Sequence, residues 1–201
     1  MNLDELRPRL LSEAPALPLK PARSDYDFDP ANRPPQQAQL TPAAVLLPIV
    51  MRAEPTVLFT QRSARLAQHA GQVSFPGGRA EPTDESLIRT ALRETQEETG
   101  IDASFISIAG FLEAYETGTG FAILPVVGLL KEGFALVPNT DEVAEIFEVP
   151  LAFLLDPANR QKEQAVWKGR VRHYYAFRYN GHYIWGATAA MLVNFADRMK
   201  A

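Results

Sequence analysis

A glycine turn that leads into an acidic helix constrains the fold of this chain more than any other stretch of its sequence. The turn is Phe75-Pro76-Gly77-Gly78-Arg79, and the helical segment ends in Glu97-Glu98-Thr99-Gly100. Asp84 or Ser86 can cap the start of the helix, and Gly100 stands where a left-handed C-cap is expected. Spacings of three and four predict one core-facing stripe, which comprises Leu87, Ala91, Leu92 and Thr95.

Three carboxylates share another side of that helix. Glu94, Glu97 and Glu98 stand at i, i+3 and i+4, within about one helical turn. The like-charge pair Glu94–Glu98 destabilises the helix slightly, and a solvated acidic face is the ordinary explanation for such a cluster. The adjacent Gly-Gly turn, the core-facing stripe and the glycine stop favour a different explanation. We interpret the three carboxylates as hard oxygen ligands for Mg²⁺ or Mn²⁺.

The segment resembles the box that defines the Nudix family, G-x5-E-x7-R-E-U-x-E-E-x-G-U, in which U is a bulky aliphatic residue. The stretch from Glu85 to Ile101 fits this pattern with two departures. The spacing from Gly78 to Glu85 is one residue longer than in the pattern, so that either Asp84 or Glu85 can be the leading acid. Thr95 stands where an aliphatic residue is usual.

This resemblance implies a fold and a set of roles. The fold is an α/β/α sandwich around a mixed β-sheet. The implied metal ligands are Glu94, Glu97, Glu98 and the carbonyl of Gly78. Glu97 and Glu98 are also expected to be catalytic. Arg93 is expected to be a structural brace that pairs with the leading acid, taken as Glu85, and not a substrate ligand.

The bulk composition indicates one soluble domain with a substantial core. The 201 residues are 46% hydrophobic, and the formal charge of −4 argues against nucleic-acid binding through a basic surface. The absence of cysteine excludes disulfides, thiolate catalysis and cysteine zinc sites, and it fits a reducing cytoplasm. No run approaches the roughly 20 apolar residues of a membrane span, and the acidic start Met1–Glu5 does not resemble a signal peptide. We therefore expect a cytoplasmic protein without membrane or nucleic-acid partners.

The sequence predicts a proline-rich arm at residues 1–40, which precedes a domain at residues 41–201. Leu3, Leu6 and Leu10 fall at helical spacing, which predicts a short amphipathic helix within residues 1–11. Prolines then recur from Pro15 to Pro35 and disfavour regular structure. We interpret the arm as a flexible or surface-draped tail, and the alternative is an arm that forms a homodimer.

Strands predominate in the domain. Apolar and β-branched runs predict strands at residues 43–50, 56–60, 73–75, 106–115, 121–130, 145–149, 171–178 and 182–185. Asn180-Gly181 predicts a hairpin turn between the last two. Besides the acidic helix, we expect a short helix near residues 150–155 and a final one near 187–199. This pattern indicates an α+β fold or an α/β/α sandwich, and the family resemblance favours the sandwich.

A second signature lies directly upstream of the glycine turn, between Leu58 and Arg79. Its cationic and polar side chains can meet an anionic ligand, and the candidate substrate-binding residues are Arg62, Ser63, Arg65, Gln72 and Arg79. The pattern resembles the signature of the coenzyme A pyrophosphatase branch of Nudix hydrolases, L-L-T-x-R-S followed by G-x-x-x-F-P-G-G. Ala67 stands where that branch usually has an arginine.

The reaction implied by this resemblance is metal-dependent hydrolysis of coenzyme A or acyl-CoA to 3′,5′-ADP and (acyl-)4′-phosphopantetheine. A carboxylate must accept a proton from water, and Glu142 in a later loop is a candidate beside the acids of the box. His69 is interpreted as a hydrogen-bonded loop residue. A broader nucleoside diphosphate pyrophosphatase is the alternative enzyme. A Nudix-fold module that binds a nucleotide without cutting it is the alternative from another class.

Overall fold

The computed structural model describes residues 3–34, 40–167 and 169–200. Its larger sheet contains β1 (Arg23–Ser24), β2 (Thr41–Val50), β3 (Thr56–Arg62), β4 (Val73–Ser74), β5 (Gly77–Arg79), β6 (Ile106–Phe111), β7 (Tyr115–Glu116), β8 (Phe121–Leu130) and β9 (Val143–Pro150). A smaller sheet contains β10 (Gln161–Trp167), β11 (Arg170–Tyr179) and β12 (His182–Trp185). The α-helices are α1 (Leu3–Leu6), α2 (Leu87–Thr99), α3 (Leu151–Leu155) and α4 (Gly186–Lys200).

The larger sheet is mixed. Its strands pair in the order β1-β7-β8-β2-β3-β4, while β5 pairs with β2, β6 with β8 and β9 with β3. β2 runs parallel to β8 along its whole length, and β1 runs parallel to β7. The other ladders of this sheet and both ladders of the smaller sheet are antiparallel.

Alternate side chains of β2 face two separate hydrophobic layers, as the period of two in a strand requires. The layer shared with α4 takes Val45, Leu47 and Ile49. The layer shared with α2 takes Ala44, Leu46 and Val50. Helices therefore cover both faces of the sheet, and the predicted α/β/α sandwich around a mixed sheet is confirmed. The acidic helix lies on one face, where β5 and the adjoining loops can reach it.

The described part of the arm packs against the domain. The predicted helix is short, since α1 ends at Leu6 and a 3₁₀ turn follows at Arg7–Arg9. Leu6 and Leu10 are 1% and 7% exposed and belong to the layer shared with α4. Gly110 permits this approach, because a Cβ there would lie 2.7 Å from the Cβ of Leu10. Residues 1, 2 and 35–39 of the expected tail lie outside the described residues, and the division of the chain at residue 40 stays a prediction.

Several predicted elements differ from those observed. Residues 121–130 and 182–185 form the strands expected, whereas the stretch 106–115 is divided between β6 and β7. Gly77–Arg79, read as a turn, is a strand that pairs with β2, and Gln161–Trp167 is a strand that the sequence reading missed. Within the described ranges, no helix is both long and apolar enough to cross a membrane.

Candidate active site

Local sequence signals fix both ends of α2. The Ser86 hydroxyl accepts a hydrogen bond from the backbone N–H of Arg89 at 3.3 Å, and Gly100 adopts the left-handed conformation with φ 77°. The predicted stripe is buried at Leu87, Ala91 and Thr95 and half-buried at Leu92. Three residues outside the predicted stripe are buried as well, namely Thr90, Glu98 and Thr99. The acidic face is therefore only partly open to solvent.

Gly78 brings the backbone of β5 against the carboxylate of Glu94. β5 pairs with β2 through Gly77 opposite Val45 and Gly78 opposite Ala44. A Cβ on Gly78 would lie 2.5 Å from Cδ of Glu94, a distance at which only glycine fits without displacing the carboxylate. A Cβ on Gly77 would likewise lie 2.5 Å from the carbonyl oxygen of Ala44. The Gly-Gly pair thus allows a strand, a helix carboxylate and the neighbouring strand to meet.

Arg93 connects the acids of the helix to the preceding loop. Its Nε and Nη2 each donate to Asp84 at 3.0 Å, and its Nη1 donates to Glu94 at 2.9 Å and to Glu97 at 3.0 Å. Its hydrogen bonds hold the pKa of Asp84 well below the usual range. Glu97 remains largely exposed, with 56% of its side chain open to solvent.

The bracing acid in the structure is Asp84 and not Glu85. Asp84 is positioned by two further hydrogen bonds, from the backbone N–H of Glu81 and from the hydroxyl of Thr90, both at 2.9 Å. Glu85 is exposed, and no hydrogen bond or ion pair described for Arg93 reaches it. The choice of Glu85 as the partner of Arg93 is therefore corrected, because the loop turns Asp84 inward.

Glu98 is a carboxylate buried beside one cation. Only 3% of its side chain is exposed, and burial raises its pKa to about 8 despite the opposing charge of Arg62. Nη1 of Arg62 lies 3.8 Å from Oε1 of Glu98, and the backbone N–H of Gly77 donates to Oε2 at 3.4 Å. The buried Nε of Arg62 finds no acceptor among the described residues. The site thus holds a carboxylate that is shielded from water next to a guanidinium that is partly exposed.

The loop that carries Glu142 docks on the end of α2. The backbone N–H of Val137 donates to the carbonyl of Thr99 at 2.8 Å, and that of Asn139 donates to the carbonyl of Glu98 at 3.1 Å. Glu142 itself is exposed, and its carbonyl accepts from the N–H of Ser63 at 2.7 Å. The Glu142 charge contributes to the raised pKa of Glu98, as it does for the half-buried Glu94. The backbone contacts of this loop therefore bring Glu142 towards the end of α2 that carries Glu98.

The other candidates from the upstream signature fall into two groups. Gln72 and Arg79 line the same cavity as Arg62, and Gln72 also bonds to Nδ1 of His69 at 2.8 Å. Ser63 and Arg65 do not line it. Ser63 is buried, and its hydroxyl accepts from the backbone N–H of Arg65 at 3.4 Å. This contact gives Ser63 a role in shaping the turn, while the side chain of Arg65 is exposed.

That cavity has a volume of about 800 Å³ and lies between the two sheets. The glycine turn, the arm, β11 and the start of α4 all contribute to its walls. Its size falls within the range of small-molecule sites. Another cavity, of about 980 Å³, lies between the arm and β8, and its lining includes no residue of the box. The smaller cavity is therefore the candidate site.

The arm supplies cavity residues that the sequence reading missed. Asp25 accepts hydrogen bonds from the hydroxyl of Tyr115 at 2.8 Å and the backbone N–H of Gly118 at 2.6 Å. Phe28 packs edge-on against Tyr175 of the smaller sheet at 4.8 Å. The one signal in the sequence is the alternation of aspartate and aromatic residues from Asp25 to Asp29. These contacts join the arm to both sheets around the cavity.

A divalent cation fits the box acids by the chemistry of the donors. In the part of the chain that the structure describes, no group of three or more acidic or imidazole side chains is arranged to hold a metal. However, Glu94 and Glu98 offer oxygen donors beside the backbone of the Gly-Gly pair, and the ion pair described for Glu98 is long, at 3.8 Å. Oxygen donors of this kind suit Mg²⁺ or Mn²⁺.

Comparisons with known proteins give one consistent result. A family model described as the NUDIX domain matches residues 40–168. The chain is 45% identical over 158 residues to a Yersinia enterocolitica protein named Uncharacterized Nudix hydrolase NudL, covering 78% of this chain and 80% of that protein. A Photorhabdus laumondii protein of the same name is 43% identical, with coverages of 79% and 84%. Among solved structures, a MutT/nudix family protein from Enterococcus faecalis has a TM-score of 0.52 and 16% identity, with coverages of 86% of this chain and 67% of that one. That last likeness concerns the fold alone.

Proposed function

This chain belongs to the Nudix family, and from that membership we propose that it hydrolyses the diphosphate of coenzyme A or acyl-CoA. The products are 3′,5′-ADP and (acyl-)4′-phosphopantetheine. Relatives at 45% and 43% identity carry the name Nudix hydrolase, which supports the wider assignment to hydrolysis of nucleoside diphosphate derivatives. The narrower substrate rests on the upstream signature. The observation that carries it is that Arg62 and Gln72 from this signature share one cavity with Gly78 from the box.

The metal-binding part of the proposal uses the box. Glu94, Glu97 and Glu98 would hold Mg²⁺ or Mn²⁺ together with the carbonyl of Gly78. A bound cation of this type neutralises diphosphate oxygens and lowers the pKa of a water. None of these three carboxylates lines the cavity, which the box reaches through Gly77, Gly78 and Arg79. Glu97 is the most exposed of the three, so that it can reach a ligand by rotating its side chain.

The remaining chemistry falls to residues of this chain. The oxygen of a water forms a bond to one phosphorus of the diphosphate while the bridging P–O bond breaks, and the bridging oxygen leaves with the other phosphoryl group. Glu142 accepts the proton of the water, because it is exposed and its loop is hydrogen-bonded to the end of α2 that carries Glu98. Glu97 or Glu98 is the other candidate base. Arg62 stands beside Glu98, where its positive charge can meet phosphate oxygens.

Arg93 has a positioning role in this scheme. It holds Asp84 with two hydrogen bonds and contacts Glu94 and Glu97 with a third nitrogen. The orientation of the helix acids towards β5 therefore depends on the loop before the helix. This arrangement supports Arg93 as a brace and argues against a direct contact with substrate.

Turnover of a nucleotide panel tests the proposal. The purified chain is assayed with Mg²⁺ and with Mn²⁺ on coenzyme A, dephospho-coenzyme A and ADP-ribose, and products are separated by chromatography. We expect the highest kcat/KM on coenzyme A, with 3′,5′-ADP as a product. A preference for ADP-ribose would favour the broader pyrophosphatase. Tight binding of a nucleotide without turnover in either metal would favour the binding module.

A further inference from the structure

Five paired residues form one row across the larger sheet. Arg23 pairs with Tyr115, Tyr115 with Ile123, Ile123 with Ala43, and Ala43 with Arg79. Directly paired residues on neighbouring strands project to the same face of a sheet. All five line the cavity of about 800 Å³. The row is therefore a continuous strip of its wall that starts on the arm and ends at the box.

Arginines occupy both ends of this row. The middle of the strip is Tyr115, Ile123 and Ala43, of which Tyr115 and Ala43 are 4% and 5% exposed. Four strand spacings separate Arg23 from Arg79, which corresponds to ~19 Å along the sheet. Both arginine side chains are exposed, and no ion pair or hydrogen bond of either guanidinium is found within residues 3–34, 40–167 and 169–200. The cavity thus has a cation at each end of a largely buried floor.

The position of Arg23 is fixed by its neighbours in the arm. The backbone N–H of Asp25 donates to the carbonyl of Glu116 at 2.9 Å, and that of Ala22 donates to the carbonyl of Ala114 at 3.1 Å. Both carboxylate oxygens of Asp25 already accept hydrogen bonds, from Tyr115 and Gly118. Asp25, two residues after Arg23, is therefore committed to the fold. The positive charge of Arg23 stays available to a ligand.

We propose that Arg23 is a specificity-determining residue that binds a second anionic group of the substrate, a phosphate monoester, at the end of the cavity away from α2. This inference rests on the proposed function, since the Arg79 end is taken to receive the diphosphate. A nucleotide with a phosphate on its ribose carries two separate anionic groups of the kind that two distant cations can hold. The charge-assisted contact with Arg23 strengthens the binding of a substrate that carries this phosphate and leaves the binding of a substrate without it unchanged.

The test compares substrates that differ only in that phosphate. kcat/KM is measured for coenzyme A and for dephospho-coenzyme A in the wild type, in Arg23→Gln and in Arg7→Gln. Arg7 is an exposed arginine of the arm that does not line the cavity, so that its variant controls for the loss of one positive charge. We expect Arg23→Gln to lower kcat/KM on coenzyme A by about ten- to a hundredfold and on dephospho-coenzyme A by about twofold or less. Arg7→Gln should match the wild type on both.

A binding measurement separates this inference from the reaction itself. Calorimetry with adenosine 3′,5′-bisphosphate and with AMP needs no turnover, and we expect the wild type to prefer the bisphosphate and Arg23→Gln to lose that preference. If the wild type prefers the bisphosphate but hydrolyses neither coenzyme A nor dephospho-coenzyme A, the proposed function is overturned and the phosphate site at Arg23 is supported. Equal losses on both substrates in Arg23→Gln, or no preference for the bisphosphate in the wild type, overturn the site even if coenzyme A is the substrate.

Discussion

Arg93 and Asp84 form a two-pronged hydrogen bond, with both N–O distances at 3.0 Å. The pair joins the middle of α2 to the loop that precedes it. The Asp84 side chain is 6% exposed and that of Arg93 is 23% exposed. Because the same guanidinium contacts Glu94 and Glu97, the pair links the stability of the loop to the orientation of the proposed metal ligands.

Removal of this pair should lower stability. Asp84→Asn leaves the guanidinium without its charged partner, and we expect a loss of about 1.5–3 kcal/mol in the free energy of unfolding, towards the lower value because Arg93 is partly open to solvent. Urea denaturation measures the change. Glu85→Gln is the matched control and should stay within about 0.5 kcal/mol of the wild type. A double-mutant cycle with Arg93→Met should show coupling to Asp84 and none to Glu85.

The pairing of Arg93 with Asp84 also shows how much of a site the spacing of residues in the sequence can predict. The caps at Ser86 and Gly100 were predictable because each depends on residues within one turn of the helix end. The choice between Asp84 and Glu85 depends on side-chain direction in a loop. That direction is set by hydrogen bonds from Glu81 and Thr90, which no periodicity reveals.

Strands that depend on distant partners were the elements the sequence reading missed. Gly77–Arg79 has little intrinsic strand propensity and becomes a strand through its pairing with β2. Gln161–Trp167 is largely polar and becomes a strand through its pairing with β11. Arg23–Ser24 joins the sheet through a parallel pairing with β7, far along the chain. For the same reason the contribution of the arm to the cavity was not predictable from local patterns.

Replacement of Glu98 should separate activity from stability. Glu98→Gln keeps the size of the side chain but removes a carboxylate that can ionise to bind a metal, so that turnover should fall by at least about a hundredfold. Because burial disfavours the ionised carboxylate, the metal-free variant should unfold at an equal or higher temperature. The assay is kcat with saturating Mg²⁺, with calorimetry of the metal-free protein beside it. Glu85→Gln, an exposed acid on the same segment, should keep turnover close to that of the wild type. Turnover near the wild-type level in Glu98→Gln would remove Glu98 from the ligand set.

The ion pair between Glu113 and Arg198 should make stability depend on acid pH. Burial raises the pKa of Glu113, but hydrogen bonds from Arg198 and Asn194 outweigh it and lower the pKa from 4.5 to about 2. A lowered folded-state pKa stabilises the protein at pH values above the unfolded-state pKa, and this stabilisation disappears as the pH falls towards the folded-state pKa. The difference in unfolding free energy between wild type and Glu113→Gln should therefore be largest near pH 7 and shrink as the pH falls from about 5 to about 2.

Urea titrations at several pH values provide this comparison. Glu13→Gln, an exposed acid of the arm, should follow the wild type at every pH. A Glu113→Gln effect of constant size across that range would show that the carboxylate acts through packing and not through its charge.

Arg62 and Arg65 should have different effects on the choice of substrate. Nη1 of Arg62 lies 3.8 Å from the buried Glu98, a proposed metal ligand. In the proposed function its charge therefore lies beside the diphosphate, the group that all three substrates share. Arg62→Ala should therefore lower kcat/KM by about ten- to a hundredfold on coenzyme A, dephospho-coenzyme A and ADP-ribose alike. Arg65→Ala, three residues further along and exposed, should change each value by about threefold or less. Arg62→Lys should restore part of the activity, since it returns the charge beside Glu98 but not the planar fork. A loss confined to coenzyme A in Arg62→Ala would assign Arg62 to a group that the other two substrates lack.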